Sequence, residues 1–308
     1  MQRQPLNEAY ETKPGQRWSR TREEAERLAA ALPPLLVAAE TLAAATALGV
    51  HGRRKAGMGE TFWQFRRYQQ EDPSTAIDWR QSAKSQHLFV REREWEAAES
   101  VWFWRDGGAS MSFASSQNIP TKLERASVLA LALASLLVRA GERIALVGDS
   151  HPPAGGRVAL TRIAHALVSG TSQHTLPPPA ELKRNAALVW FSDFLQPFET
   201  IEQRMRLFAK AGVKGFLVQV NDPAEEDFPY AGRVRFQSPL LPDTAIVGRA
   251  EGVREAYRAR FAAHVEAVGQ LARRLGWNFT RHRTDRSPQT ALIALYAAIG
   301  GAHARRGF

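Results

Sequence analysis

Apolar positions along this chain alternate between two spacings. Ser100 to Trp104, Arg143 to Val147, Ala187 to Phe191 and Gly215 to Val220 are short apolar or β-branched runs that read as strands. Between them, Lys122 to Ala140, Arg157 to Val168 and Ile201 to Ala211 carry apolar residues at helical spacing. That alternation predicts an α/β fold, a mostly parallel sheet with right-handed crossovers and helices on both faces. Leu123, Leu129, Leu133, Leu136 and Leu137 leave the first of these helices apolar nearly all round, as expected for one enclosed between the sheet and other elements. Thr121 and Glu124 form a capping box at its start, and Gly141 closes it. Further on, Arg233 to Phe236 reads as an edge strand and Val253 to Leu275 as a long amphipathic helix. Trp277 to His282 and Pro288 to Ile299 supply a last strand and helix.

Upstream the pattern divides the chain into three parts. Residues 1–50 combine a polar, proline-punctuated tail with a helical pair: one helix is capped by Thr21 and Glu24 and ended by Pro33 and Pro34, the other runs from Leu35 to Leu48 and stops at Gly49. Residues 51–96 read as loop, extended pieces and a strand near Leu88 to Arg93, which is expected to pair antiparallel. Residues 97–308 hold the α/β domain. The most apolar run, Leu35 to Val50, is shorter than the roughly 20 residues of a spanning helix and contains Glu40, so it reads as a packed helix. With no basic and apolar leader at the start, the expectation is a cytoplasmic protein.

Composition narrows the function classes. The 308 residues, 44% hydrophobic, can bury one large core plus an appendage. The chain has no cysteine, which excludes disulfides, zinc fingers and thiolate chemistry. A net charge of +10 invites a nucleic-acid reading, but Arg and Lys are spread along the chain with Glu or Asp close by, the pattern of a solvated surface. None of the 8 histidines sits at His-Glu-x-x-His spacing, and no Gly-x-Ser-x-Gly elbow or Walker lysine motif is present.

The most specific signal is Arg66, Tyr68, Asp72, Ile77, Asp78, Trp79, Arg80, Ala83, Lys84, Leu88, Val90 and Arg91, followed by Asp106, Gly107, Gly108, Ala109, Ser110 and Met111. It resembles the bacterial family catalogued as domain of unknown function 58, whose members join such a segment to a von Willebrand factor A-like (Rossmann-type) domain. The chain departs from the family pattern at Glu71, Pro73 and Thr75, and Gly108 stands where the first serine of the family's metal motif belongs.

The resemblance implies a metal-ion-dependent adhesion site, with a hard cation such as Mg2+ held above the carboxyl ends of the strands. Asp106 and Ser110 match its first loop and Asp193 its third. Gly108 lacks a hydroxyl, and the Gly155, Gly156, Arg157 segment offers Arg where a Thr is expected, with Thr161 a helical turn later, so the site reads as degenerate. The bland reading of Asp106 and Asp193 is that each ends a strand and accepts amide hydrogen bonds in the following turn.

Arg66, Tyr68, Asp72, Asp78, Trp79, Arg80 and Lys84 are either a structural network, with Asp78 paired to Arg80 or Arg66 and Trp79 buried, or a partner-binding surface with Arg and aromatic anchors. Family membership implies a non-enzymatic, protein-binding adaptor beside an AAA+ ATPase of the MoxR type, serving an unknown client. The alternatives are a metal-dependent phosphoester hydrolase using Asp106 and Asp193, and a nucleic-acid-binding protein.

Overall fold

The computed structural model describes residues 37, 39–44, 62–68, 77–85, 87–93, 100–169, 174–237 and 244–304. Its centre is a five-stranded parallel sheet of β3 (Ser100–Arg105), β4 (Arg143–Leu146), β5 (Ala187–Ser192), β6 (Lys214–Asn221) and β9 (Asn278–Arg283), in the order β4-β3-β5-β6-β9. This is the expected α/β arrangement, a parallel sheet with helices on both faces.

Alternation along each strand sends side chains to two cores. Val101, Phe103, Val189, Phe191, Phe216 and Val218 face the helices Lys122–Arg139, Gly156–Ser169 and Pro288–Ala304. Trp104, Leu188, Trp190 and Leu217 face the helices Phe198–Lys210 and Arg254–Arg274. The Lys122–Arg139 helix is enclosed as its composition predicts, with an unbroken run of buried residues from Leu129 to Leu137. Its capping box forms: Thr121 accepts from the Glu124 amide at 3.1 Å while Glu124 accepts from the Thr121 amide at 2.8 Å. Gly215 is required where Trp277 crosses β6, because a Cβ there would lie 2.0 Å from the indole ring.

Chain order reverses between β3 and β5. The chain passes from β3 outward to β4, then returns to place β5 on the other side of β3. Loops leaving adjacent strands in opposite directions open a crevice at their carboxyl ends. The outer flanks differ from each other. Beyond β4, Ile144 and Ala154 exchange backbone bonds in an isolated antiparallel bridge. At β9, no further strand is present among the described residues, and Arg281 and Arg283 are held by Glu226, Asp227 and Asp285.

One expectation needs correction and another holds. The Arg233 to Phe236 run does form a strand, β7 (Val234–Gln237), but it pairs only with β8 (Thr244–Val247) in a separate antiparallel hairpin and is not an edge of the main sheet. Its ring partners explain why: Phe236 stacks on Phe228 and meets Tyr230 edge-on, so side-chain contacts hold the hairpin where backbone pairing does not. Near the other end of the chain, the predicted strand is β2 (Phe89–Arg93), paired antiparallel with β1 (Phe62–Arg67).

Of the Leu35 to Leu48 helix, residues 37 and 39–44 are described; they are helical, and Ala39, Leu42 and Ala43 are buried in the first core. The tail, the Thr21 capping box, Pro33, Pro34 and Gly49 lie outside the described residues.

Candidate functional site

β3 and β5 lie side by side, so Asp106 and Asp193, each following its strand, meet over the same rim of the sheet. Both are fully buried. The backbone fixes the first: the Asp106 amide donates to the Phe191 carbonyl at 2.8 Å, continuing the ladder one step past β3. Its carboxylate then accepts from three donors, the Gly108 amide at 2.7 Å on one oxygen, and Ser192 Oγ at 2.7 Å and Gln196 Nε2 at 2.9 Å on the other. Burial, and next the Asp193 charge, push the Asp106 carboxyl up to about 6, and those hydrogen bonds only partly oppose the rise.

Asp193 is neutralised differently. Its Oδ1 accepts from the Leu195 amide at 3.1 Å and its Oδ2 from Lys122 Nζ at 2.8 Å. Lys122 is the first residue of the central helix, and its ammonium also donates to Glu225 Oε1 at 2.5 Å. Burial alone would lower the lysine, but Asp193 and Glu225 more than offset it, holding the ammonium above its ordinary range.

Glu225 has a second task, since its other oxygen accepts from the Asp222 amide at 2.9 Å in the capping box of the short helix Pro223–Asp227. Asp222 in turn accepts from the Ser115 amide at 2.9 Å, tying the loop after β6 to the loop after β3.

The turn after Asp193 is strained. Phe194 has φ 53°, the left-handed region that side chains other than glycine rarely adopt. It is held there from several sides: its amide donates to Ser192 Oγ at 3.0 Å, its carbonyl accepts from His264 Nε2 at 2.6 Å, and its ring packs on Trp190. Strain maintained by surrounding contacts is characteristic of functional loops.

A divalent cation does not fit these residues. Both oxygens of Asp106 and of Asp193 already accept from hydrogen-bond donors, and one of those donors is itself a cation. Gly108 supplies no hydroxyl, and a Cβ there would lie 2.6 Å from Thr175 Cγ2, so the place of the missing serine is filled by Thr175. Ser110 is buried in the short 3-10 turn Ala109–Ser112. Arg157 and Thr161 line an open depression with Asp149, His151, Arg162 and His165, and neither Asp106 nor Asp193 borders it. Among the described residues no group of three or more His, Cys, Asp or Glu could hold a metal ion.

The signature segment is built otherwise. Asp78 caps the short helix Trp79–Ser82, accepting from the Gln81 amide at 3.0 Å, and its own amide donates to Phe89 in β2 at 2.8 Å. Ser82 Oγ accepts from the same Phe89 at 2.9 Å. The helix is thereby tied to β2 by one backbone bond and one bond from a strand amide to a serine hydroxyl. Trp79 corrects the expectation of burial: as the first residue of this one-turn helix it is 65% exposed. Arg80 and Lys84 are exposed, and Tyr68 is half-buried. Arg66 faces Val90 in the strand register; its side chain and all of Asp72 lie outside the described residues.

The family description "Protein of unknown function DUF58" matches residues 64–267, from β1 through most of the Arg254–Arg274 helix. The chain belongs to that family. The matched span of this DUF58 protein includes the signature segment, both rim aspartates, Lys122 and Glu225. Curated proteins give no match. Among solved structures, the conserved hypothetical protein BatB from Bacteroides thetaiotaomicron is similar at 13% identity over 66% of this chain and 100% of its own, with TM-score 0.38. An aerotolerance-related membrane protein from Bacteroides fragilis NCTC 9343 is similar at 15% identity over the same shares, with TM-score 0.37. Among the described residues no helix is long and apolar enough to cross a membrane.

Sequence reading found the two aspartates but missed their partners: Lys122, which pairs with Asp193 and Glu225, and Ser192 and Gln196, which donate to Asp106. Local pattern did not mark the lysine, since Glu124 in the same first turn is exposed while Lys122 is buried.

Proposed function

We propose that this DUF58 protein is a non-enzymatic, protein-binding adaptor of the cytoplasm, acting beside a MoxR-type AAA+ ATPase to present a client for assembly or maturation. One observation carries the reading: the rim carboxylates are fully buried and every oxygen of Asp106 and Asp193 is engaged by a donor. Residues so committed serve to rigidify loops. A hydrolase needs the opposite, a base or ligand with a free lone pair facing substrate.

Around this rigid centre the same loops present apolar side chains outward, Phe113 after β3 at 38% exposure and Leu195 after β5 at 39%. Apolar anchors on preorganised loops suit protein recognition, because little conformational freedom is lost when the partner docks.

The test is binding of the immobilised full chain to the purified MoxR-type ATPase of the same source. Capture is expected, with affinity reduced at least about tenfold by a Phe113→Asp and Leu195→Asp pair that keeps the parent circular dichroism. Absence of any binding overturns the proposal, as does magnesium-dependent turnover of a phosphate ester that disappears in Asp106→Ala.

A further inference from the structure

We propose that the Lys122 ammonium is the resident cation of this rim, a tethered positive charge standing where relatives with the full motif would hold a divalent ion, and that the site is therefore independent of divalent metals. This goes beyond the adaptor reading and does not depend on which partner binds.

Three features carry it. First, the ammonium joins elements from three separate parts of the sheet's carboxyl edge: the helix that follows the β3 loop, Asp193 after β5 at 2.8 Å, and Glu225 after β6 at 2.5 Å. That cross-linking of loops by one positive centre is the structural task of a metal.

Second, the lysine and Asp193 side chains are 0% exposed and Glu225 is 14% exposed, so the charge is part of the fold. Burying an ammonium is tolerated only where carboxylates neutralise it.

Third, its place in the helix opposes local preference. The first helical turn is the positive end of the helix dipole, where cations are disfavoured. The position favours a lysine only through the two carboxylates it meets.

The chemistry of the remaining donors agrees. Gly108 and the Thr175 methyl that fills the space beside it remove one oxygen ligand, and a metal placed against Asp193 would face the ammonium at close range. A tethered cation also has a fixed stoichiometry of one and cannot be removed by chelation, so the loops stay cross-linked whatever the metal supply.

The experiment uses the full chain after chelator treatment. Titration with millimolar Mg2+ or Mn2+ is expected to give no heat of binding and no change in thermal midpoint. Brief acetylation of the native protein is expected to modify the exposed Lys183 and Lys210 while leaving Lys122 unreacted until unfolding. Lys122→Met is expected to lower the midpoint by on the order of 10 °C. Adding Asp193→Asn to it restores part of that loss, because the uncompensated carboxylate is removed. Saturable metal binding by the parent, acetylation of Lys122 as fast as Lys183, or a Lys122→Met protein as stable as the parent each overturn the proposal. If Lys122→Met does not fold, the calorimetry and labelling of the parent protein still decide.

Discussion

The signature segment and the rim of the sheet are both rich in charge, yet they are assembled in opposite ways. In the signature segment every holding bond has a backbone group at one end or both, through the Asp78 cap, the Asp78 amide on Phe89 and the Phe89 amide on Ser82, and the conspicuous side chains Trp79, Arg80 and Lys84 face solvent. At the rim, side chains do the holding, and Asp106, Lys122 and Asp193 are sealed from water. The difference teaches that a prominent motif need not be an interior one. Trp79, Arg80 and Lys84 stand out in the sequence and are displayed on the surface, whereas the residue that closes the rim, Lys122, reads in the sequence as an ordinary helical lysine.

The largest break in this comparison should come from Asp193→Ala. It leaves the Lys122 ammonium buried with only Glu225, and a loss of roughly 3 to 5 kcal/mol is expected in urea unfolding. A loss below about 1 kcal/mol would mean that the rim is solvated in the way the signature segment is.

A second test uses pH. Asp106 is held up at about 6 against an ordinary 3.8, so the folded state keeps its proton where the unfolded chain has released it. Its contribution is complete below about 3.8 and is lost as pH rises through about 6. His282, buried near Arg125 at the edge of the sheet, is pushed down to about 4 from 6.5, first by burial and then by the arginine charge. It contributes fully above about 6.5, and that contribution is lost as pH falls through about 4.

Each effect is of order 3 kcal/mol at full extent, and their slopes have opposite signs over nearly the same window. Asp106→Asn should therefore make stability climb more steeply with pH between about 4 and 6, and His282→Gln should make it fall, each relative to the parent. Parallel pH profiles for all three proteins would show that neither group is perturbed by burial.

The smallest expected effect is in the signature segment. Trp79→Ala removes a side chain that is 65% exposed, so stability should change by no more than about 0.5 kcal/mol in the same unfolding assay. A loss of several kcal/mol would show that the indole is covered and would erase the contrast between the two regions.

How far the sequence disclosed this molecule follows from the range of the forces involved. The strands of the parallel sheet and the Lys122–Arg139 helix were legible because burial imposes a local rhythm, and Thr121 with Glu124 announced the helix start through a contact three residues long. The rim aspartates were legible as strand ends. Their neutralising partners were not, since Lys122 reaches residues 71 and 103 positions away, and no local pattern encodes such a meeting. The β7 strand was visible as alternation, but its partner β8 was not, because the hairpin is anchored by Phe228 and Tyr230 outside its own strands. Trp79 was misplaced for a related reason: a large apolar side chain usually signals interior, and the placement of its short helix depends on bonds to Phe89, in a strand well downstream.

The two flanks of the sheet carry a final consequence. A row of unpaired backbone groups invites another chain to add a strand, the first step toward fibres. On one side the Ile144–Ala154 bridge occupies part of that row, and on the other Arg281 and Arg283, fixed by acidic neighbours, place charge along the open strand. Both flanks thus resist the addition of a further strand, so copies of this fold kept close together are hindered from joining sheet to sheet.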